Sequence, residues 1–362
     1  MNIDFLTDIL KEERTGAQPH PEDSIFDGAT AAKQAVDSLL YVIKNPGSVT
    51  IKFDGFPALI FGRTPDGQLA VMDKYMFDNK FFARSPQDWQ RYDQQKASGK
   101  SRPDLYAKLG NIWKGLDEAV GSSTGFFWGD LLWYTPLKPV KGMYVFKPNV
   151  VEYHVPANSQ LGKEIGQSVG GVVVHQYFAD DGAQPQQWNG QGLKRNGSVV
   201  ILTPNAGVQF KLNDPVQLTK AAQAAVNQYG NLAESFLAGL EGVARQAIKK
   251  YMNKKITGQT NEELVDWLQA NVSGAQYKKL VGENYGGYLY RNAKGLQALF
   301  TVWNSIYALK ENLSQQLEGQ VQGIQQWVGG KQQGEGFVFN TPNGLVKLVN
   351  RGTFSRALFA KE

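Results

Sequence analysis

Residues 28–45, GATAAKQAVDSLLYVIKN, repeat Ala, Val, Leu and Ile at intervals of three and four, which predicts a helix that Pro46-Gly47 stops. The following stretch, SVTIKFDGFPALIFGRTPDGQLAVMDKYMF, holds three β-rich runs, parted by the loop around Gly55-Phe56-Pro57 and by the turn signal Thr64-Pro65-Asp66-Gly67. Antiparallel sheet is expected there, with a hairpin at Pro65–Gly67. From about Pro86 to Gly121 the pattern is polar and helix-like; strands resume at GFFWGDLLWY, GMYVFKPNVVEYHVP, GGVVVHQYF, SVVILTP and VQFKL.

Between 215 and about 330 the period changes. Ala-, Gln- and Leu-rich segments, from VQLTKAAQAAVNQYG to NAKGLQALFTVWNSIYALKENLSQQLEGQVQGIQQWV, carry apolar residues at i, i+3 and i+4 with no proline after Pro215. After Gly329-Gly330-Lys331-Gln-Gln-Gly334, read as a flexible connection, EGFVFNTPNGLVKLVNR predicts a hairpin turning at Pro342-Asn343-Gly344. These late strands are expected to rejoin the earlier sheet. The resulting fold class is α+β: an N-terminal helical segment over 1–48, an antiparallel-sheet domain over 49–214 and 331–362, and a helical insertion over 215–330.

Composition narrows the chemistry more than the fold. The 362 residues contain no cysteine, which excludes disulfides, thiolate zinc sites and thiol nucleophiles; three histidines, His20, His154 and His175, and the carboxylates remain as metal ligands. The net charge of +5 and a pI near 9.0 suit a phosphate-rich partner without demanding one. The N-terminus lacks the apolar run of a signal peptide and no stretch approaches a membrane span, so a cytoplasmic protein without a membrane partner is expected, and a monomer.

Lys52-Phe53-Asp54-Gly55 ends an apolar strand, where a half-buried lysine projecting into a cleft loses its proton more readily and becomes a nucleophile. Alone, KxDG is a weak signal. Downstream, Phe127-Trp128-Gly129-Asp130-Leu131 places an acid in a strand, Gly334-Glu335-Gly336 a second, and Val346-Lys347-Leu348 a strand lysine. Two acids and two lysines on strands suit a nucleoside triphosphate and a divalent ion.

In this order the set resembles the covalent nucleotidyltransferase superfamily of ATP-dependent DNA and RNA ligases and mRNA capping enzymes, with KFDG, FFWGDL, GGVVVHQYF, EGFVF and VKLV looking like its successive motifs. A closer likeness, over about residues 20–180 and 334–356, is to ligase-like proteins of tailed phages; it includes His20-Pro21-Glu22-Asp23 and YVFKPNVVEYHVPANSQLGKEIG. The resemblance implies a ligase adenylation (ATP-grasp-like) fold. Lys52 would attack the α-phosphate of ATP and carry AMP. Asp54 and Asp130 would contact the ribose side or a metal-bound water, Asp130 and Glu335 would hold Mg²⁺ or Mn²⁺, and Gly55 belongs to the nucleophile motif. Lys74, read as a strand lysine after the first hairpin, would face a phosphate or a nick; His175 would stack on the nucleotide; Lys347 would neutralise charge as pyrophosphate leaves. The acceptor would be a 5′-phosphate on RNA or nicked duplex, sealed to a 3′-OH. Other readings are a capping-like transferase with a different acceptor, and a nucleic-acid-binding or virion protein on a degenerate ligase fold.

The sequence departs from the family pattern at two positions. Pro57 stands where many ligases carry an arginine, leaving Arg63 as a substitute, and Val349 replaces the second lysine of the final motif, leaving Arg351 to compensate. The chain ends 11 residues after Arg351, so no C-terminal OB-fold is expected. Outside the motifs, His20, Glu22 and Asp23 read as helix-entry capping and surface packing rather than a metal cluster. Lys249-Lys250 and Lys254-Lys255 beside Tyr251 read first as a solvated helix face and second as a phosphate-backbone contact.

Overall fold

A computed structural model describes residues 20–95, 101–195, 197–204, 210–321 and 323–351. Its strands are β1 (Val49–Ile51), β2 (Ala58–Arg63), β3 (Leu69–Met72), β4 (Phe126–Trp133), β5 (Met143–Phe146), β6 (Glu152–Pro156), β7 (Gly170–Phe178), β8 (Gln186–Gln187), β9 (Val199–Leu202), β10 (Gln325–Val328), β11 (Lys331–Gln332), β12 (Gly336–Thr341) and β13 (Gly344–Val349). The architecture is mixed α+β with mainly antiparallel sheets. Two compact units divide the chain, one of residues 51–208 and 321–335, the other of residues up to 50, 209–320 and from 336 on.

The first unit has two sheets. In the larger, the order is β3-β2-β4-β7-β8, and β9 joins β7 in parallel. The hairpin expected at Pro65–Gly67 forms, with Arg63 opposite Leu69. Alternation along β2 and β4 puts Leu59, Phe61, Phe127 and Leu131 on one face, together with buried Leu109, Ile112 and Leu116 of the helix Pro103–Val120. The other face carries Ile60, Phe126, Trp128 and Asp130. The smaller sheet runs β11-β10-β6-β5. A row of rings, Phe53–Tyr153, Tyr153–Phe146 and Phe146–Trp133 at centroid distances of 5.6, 5.2 and 4.9 Å, joins the segment after β1, the small sheet and β4 into one apolar core.

The second unit packs the helices Ala29–Lys44, Val216–Ala238 and Ala293–Glu318 with a three-stranded sheet ordered β1-β12-β13. The longest helix buries Leu299, Val302, Trp303, Ile306, Leu309, Leu313 and Leu317, the stripe its sequence period requires.

Several expectations change here. The late hairpin turns where Pro342-Asn343 predicts, but β12 and β13 pair with each other and β12 with β1, not with the sheet of β2, β4 and β7. Phe337 and Phe339 of β12 are buried, Phe337 against Phe210 at 5.4 Å, and the Ser314 hydroxyl donates to the Leu348 carbonyl, so these strands complete the core of the helical unit. Conversely, Gln325–Val328, read as the tail of a helix, is a strand paired with β6. The flexible connection is a two-residue turn: Gly329 and Gly330 both have positive φ, 57° and 77°, the backbone that closes a tight hairpin between β10 and β11. Residues 210–212 of the expected VQFKL strand form none, the Lys211 N–H going instead to the Gln320 side chain at 2.8 Å; Val208 and Gln209 lie outside the described residues.

The capping and surface role expected of His20, Glu22 and Asp23 is also overturned. His20 precedes the 3-10 turn Pro21–Asp27 without capping it, and Glu22 and Asp23 are buried. Glu22 takes Lys310 Nζ at 2.9 Å and Arg351 Nη1 at 3.2 Å; Asp23 takes Arg351 Nη2 at 2.9 Å and the Trp303 indole at 3.0 Å. Lys310 is itself fully buried. Two acids and two cations are thus desolvated together, a grouping tolerable only because each charge is paired.

Candidate active site around Lys52 and Glu335

Immediately after β1 the chain runs Lys52-Phe53-Asp54-Gly55, and each residue has a different partner in the unit of residues 51–208 and 321–335. Phe53 is buried against Tyr153. The Asp54 carboxylate accepts from the backbone N–H groups of Val150 and Val151 at 2.6 and 2.8 Å and from the Asn149 amide at 2.8 Å, while its own N–H donates to the Tyr153 hydroxyl at 2.7 Å. A Cβ on Gly55 would stand 2.4 Å from the Asp130 Cβ, so only glycine lets this loop lie against β4. Phe56 N–H and Leu131 N–H then exchange bonds with Leu131 and Pro57 carbonyls, fixing the loop to β4.

Held this way, Lys52 directs its Nζ to Oε1 of Glu335. The Lys52 side chain keeps 27% of its exposure and the Glu335 side chain 9%. Glu335 Oε2 is buried with no hydrogen-bond partner. Burial raises the Glu335 carboxyl to about 7; Lys52 pulls it down, while the charges of Asp54 and Asp130 push it further up. Near neutral pH this carboxyl can take up or give up a proton next to a lysine amine.

Asp130 shares the sheet face with Trp128, opposite Ala58 of β2 and Val173 of β7. Trp128 pairs with Gln176 and Gly129 with Val174, so His175 is the extra residue of a β-bulge. The bulge brings His175 Nε2 to 3.5 Å from Asp130 Oδ2 and sets its ring 5.7 Å from Trp128.

Lys52, Asp54, Gly55, Asp130, His175 and Glu335 therefore belong to one neighbourhood. Lys74 is the first residue of the helix Lys74–Asp78, not a strand lysine, because the Asp73 side chain caps that helix at Met76 N; with Met72 opposite Ile60 it lies toward the Asp130 end of the sheet. Arg63 is elsewhere: it stands five residues along β2 from the Asp130 partner Ala58, about 17 Å at strand rise, and binds the Gly121 and Asp117 carbonyls and the Asp117 carboxylate. It does not take the place of the missing arginine at Pro57. Lys347 sits on β13 opposite Val338, and Arg351 is spent on the buried acids Glu22 and Asp23, both in the helical unit.

A family of unknown function, DUF6267, matches residues 19–362. The chain belongs to this family. No curated protein and no solved structure matches the chain.

Tyr153 and the loop Asn149–Val151 are the parts of the site that motif reading missed. The segment YVFKPNVVEYHVP enters the sequence reading only as a strand region and as part of the family likeness, with no role for these residues; alternation in VVEYHVP points Val151, Tyr153 and Val155 the same way, and all three are buried. Burial pushes the Tyr153 phenol well above its ordinary range, with the Asp54, Glu335 and Asp130 charges adding to it. It stays a neutral hydroxyl that buttresses Asp54.

For a divalent ion, no group of three or more His, Asp or Glu converges among the described residues. Mg²⁺ does not need one, since it is commonly held by one or two carboxylates with phosphate oxygens and waters. The partly open Asp130 carboxylate and the unpartnered Glu335 Oε2 are the donors this neighbourhood offers. Among the described residues no helix is long and apolar enough to cross a membrane.

Proposed function

We propose that this chain is an ATP-dependent polynucleotide ligase that works through a lysyl-AMP on Lys52. The observation that carries the proposal is the contact between Lys52 Nζ and Glu335, a buried carboxyl poised near neutrality with a second oxygen left unpartnered. An ammonium is not a nucleophile; a lysine becomes one by passing a proton to a neighbour of suitable basicity. Glu335 takes that proton. The freed amine forms a bond to the α-phosphorus of ATP as the bond from that phosphorus to the bridging oxygen breaks, and pyrophosphate leaves. AMP then passes to a 5′-phosphate, Lys52 leaving as the amine and recovering its proton, and a 3′-hydroxyl displaces AMP to seal the strand.

A cation on Glu335 Oε2 would oppose proton uptake on the same carboxyl, so the reading assigns the proton to Glu335 and the ion to Asp130. The ion would neutralise the triphosphate. His175, held beside Asp130 and Trp128, offers a flat surface for the nucleotide base. Asp54, expected from the resemblance to contact the ribose side or a metal-bound water, has three donors on its carboxylate, and in this proposal it holds the loop that supports Lys52.

Incubating the protein with α-labelled ATP and Mg²⁺ should give a covalent label that survives denaturation and is absent in Lys52→Ala. Chasing with 5′-phosphorylated RNA or nicked DNA should discharge it. A wild-type protein freed of bound AMP that takes no label overturns the proposal, and a label that discharges onto neither strand favours a transferase with another acceptor.

A further inference from the structure

Four of the chain's five net positive charges lie in residues 241–294, which hold nine lysines and arginines against five aspartates and glutamates. The stretch is a run of short helices in the helical unit: Gly242–Ile256, Leu264–Asn271, Gly274–Leu280 and Tyr288–Arg291. Its ion pairs, Lys255–Glu263, Lys278–Glu283 and Lys279–Glu241, join residues within the stretch and leave the sum unchanged. A positive field of this kind draws a polyanion to that part of the surface. Charge alone does not say which one.

The aromatic residues of the same stretch do. Tyr251 is buried against Trp267 and Phe300 and presents no ring. Tyr288 also turns inward: its hydroxyl donates to the Phe236 carbonyl at 2.8 Å and its ring lies 5.5 Å from that of Phe236, while Leu289 is buried beside it. Tyr285 and Tyr290 turn outward, 62% and 43% exposed, with ring centroids 5.1 Å apart. Asn284 and Tyr285 have φ of 53° and 60°, a left-handed backbone that a bulky side chain rarely adopts, and the loop is closed by the Gly287 N–H donating to the Val281 carbonyl at 2.7 Å. The isolated protein gains nothing by holding a large ring in water on a disfavoured backbone; such strain persists where the group it presents is used. Arg291 and Lys294, both exposed, follow directly.

We propose that Tyr285 and Tyr290 form a stacking platform for a base of a single-stranded nucleic acid whose phosphates lie along Arg291 and Lys294. A paired ring surface set in a positive field is the combination that single strands require: every base has a flat face, and the backbone beside it carries the charge. A duplex keeps its bases inside and uses only the charge. An anionic membrane is the poorer match, because a helix lying on lipid turns a broad apolar face outward, whereas the large exposed hydrophobic residues described in this stretch are Val243, Tyr285 and Tyr290. The inference goes beyond the ligase reading and does not depend on it.

The test is fluorescence anisotropy of a labelled single-stranded oligonucleotide ending in a 5′-hydroxyl, titrated with the full chain in the absence of ATP across a salt series. Tyr285→Ala/Tyr290→Ala should weaken binding by about fivefold to a hundredfold, the range for one lost base stack, with the slope of log K against log salt unchanged, since no phosphate contact is removed. Tyr285→Trp keeps a stacking surface and should bind as the parent does. Arg291→Gln/Lys294→Gln should do the reverse of the Ala pair, making the slope shallower by about 1.4 for two lost phosphate contacts. Parental affinity in the Ala pair overturns the platform, and a parental slope in the Gln pair overturns the path of the phosphates. Binding of phosphatidylserine vesicles without binding of the oligonucleotide overturns both. Because neither labelling nor Lys52 enters the readout, failure here is separable from failure of the ligase proposal.

Discussion

Lys52 Nζ donates to Oε1 of Glu335, joining the residue that follows the first strand to one 283 positions later in the chain. The contact places a proton acceptor of near-neutral affinity on a lysine amine. Glu335→Gln keeps the shape and a hydrogen-bond acceptor but removes the basicity. Single-turnover label formation should therefore fall by about 10²–10⁴, the usual contribution of a positioned general base. In the parent, the rate should climb as pH rises through about 7, as the Glu335 carboxyl loses its proton, and the Gln variant should lack that rise. Equal rates in the two proteins would show that Lys52 is deprotonated by another route.

Asp54 gives a prediction that separates support from nucleotide contact. Its carboxylate satisfies two buried backbone N–H groups and the Asn149 amide. Asp54→Ala strands those donors, and each unsatisfied buried group costs about 1–3 kcal/mol, so a loss of about 3 kcal/mol in chemical denaturation is expected. Asp54→Asn should lose less, since one acceptor oxygen remains. A ribose contact would instead weaken ATP binding and leave the denaturation midpoint in place.

Lys310 tests the buried charge cluster of the helical unit. Lys310→Met fills the space but leaves Glu22 with Arg351 as its remaining cation and removes the bond to the Val349 carbonyl. Breaking a buried pair by removing one partner is destabilising by about 3–5 kcal/mol. Glu22→Leu/Lys310→Met should recover much of that loss. If the single variant unfolds at the parental midpoint, the cluster contributes nothing to stability.

The sequence made the site more legible than the fold around it. KFDG and the acid of EGFVF stand far apart in the chain, and the motif reading sets Lys52 as the nucleophile and Glu335 as a metal ligand among several lysines and acids without pairing them; their contact is seen only in the structure. Strand membership was harder to read. Alternation told that 336–349 forms two strands, but the choice between β1 and the long sheet is made by tertiary packing of Phe337 and Phe339, which no local pattern encodes. Gln325–Val328 was misread for a related reason: a short run of Gln, Trp and Val fits either period, and the Gly329-Gly330 turn that decides it lies just beyond. Arg63 shows the limit of compensation by sequence proximity, because five residues along a strand carry a side chain to the far end of the sheet.

Glu318 supplies a pH test independent of any ligand. It lies at the end of the long helix, its Oε1 is buried without a partner, and burial, with the Glu311 charge adding to it, raises its carboxyl to about 7. In the unfolded chain the same group titrates near 4.3. Between those values the folded state holds a proton that the unfolded state has released, so this residue makes stability fall as pH rises from about 4.5 to about 7, with the full penalty present above. One pKa unit corresponds to about 1.4 kcal/mol, and partial exposure reduces the total to about 1–3 kcal/mol. Glu318→Gln carries no charge at any pH and escapes the penalty. Its melting temperature should exceed the parental value at pH 8 and converge with it near pH 4.5. Parallel stability curves for the two proteins across that range would show that Glu318 is ionised in the folded state as readily as in the unfolded one.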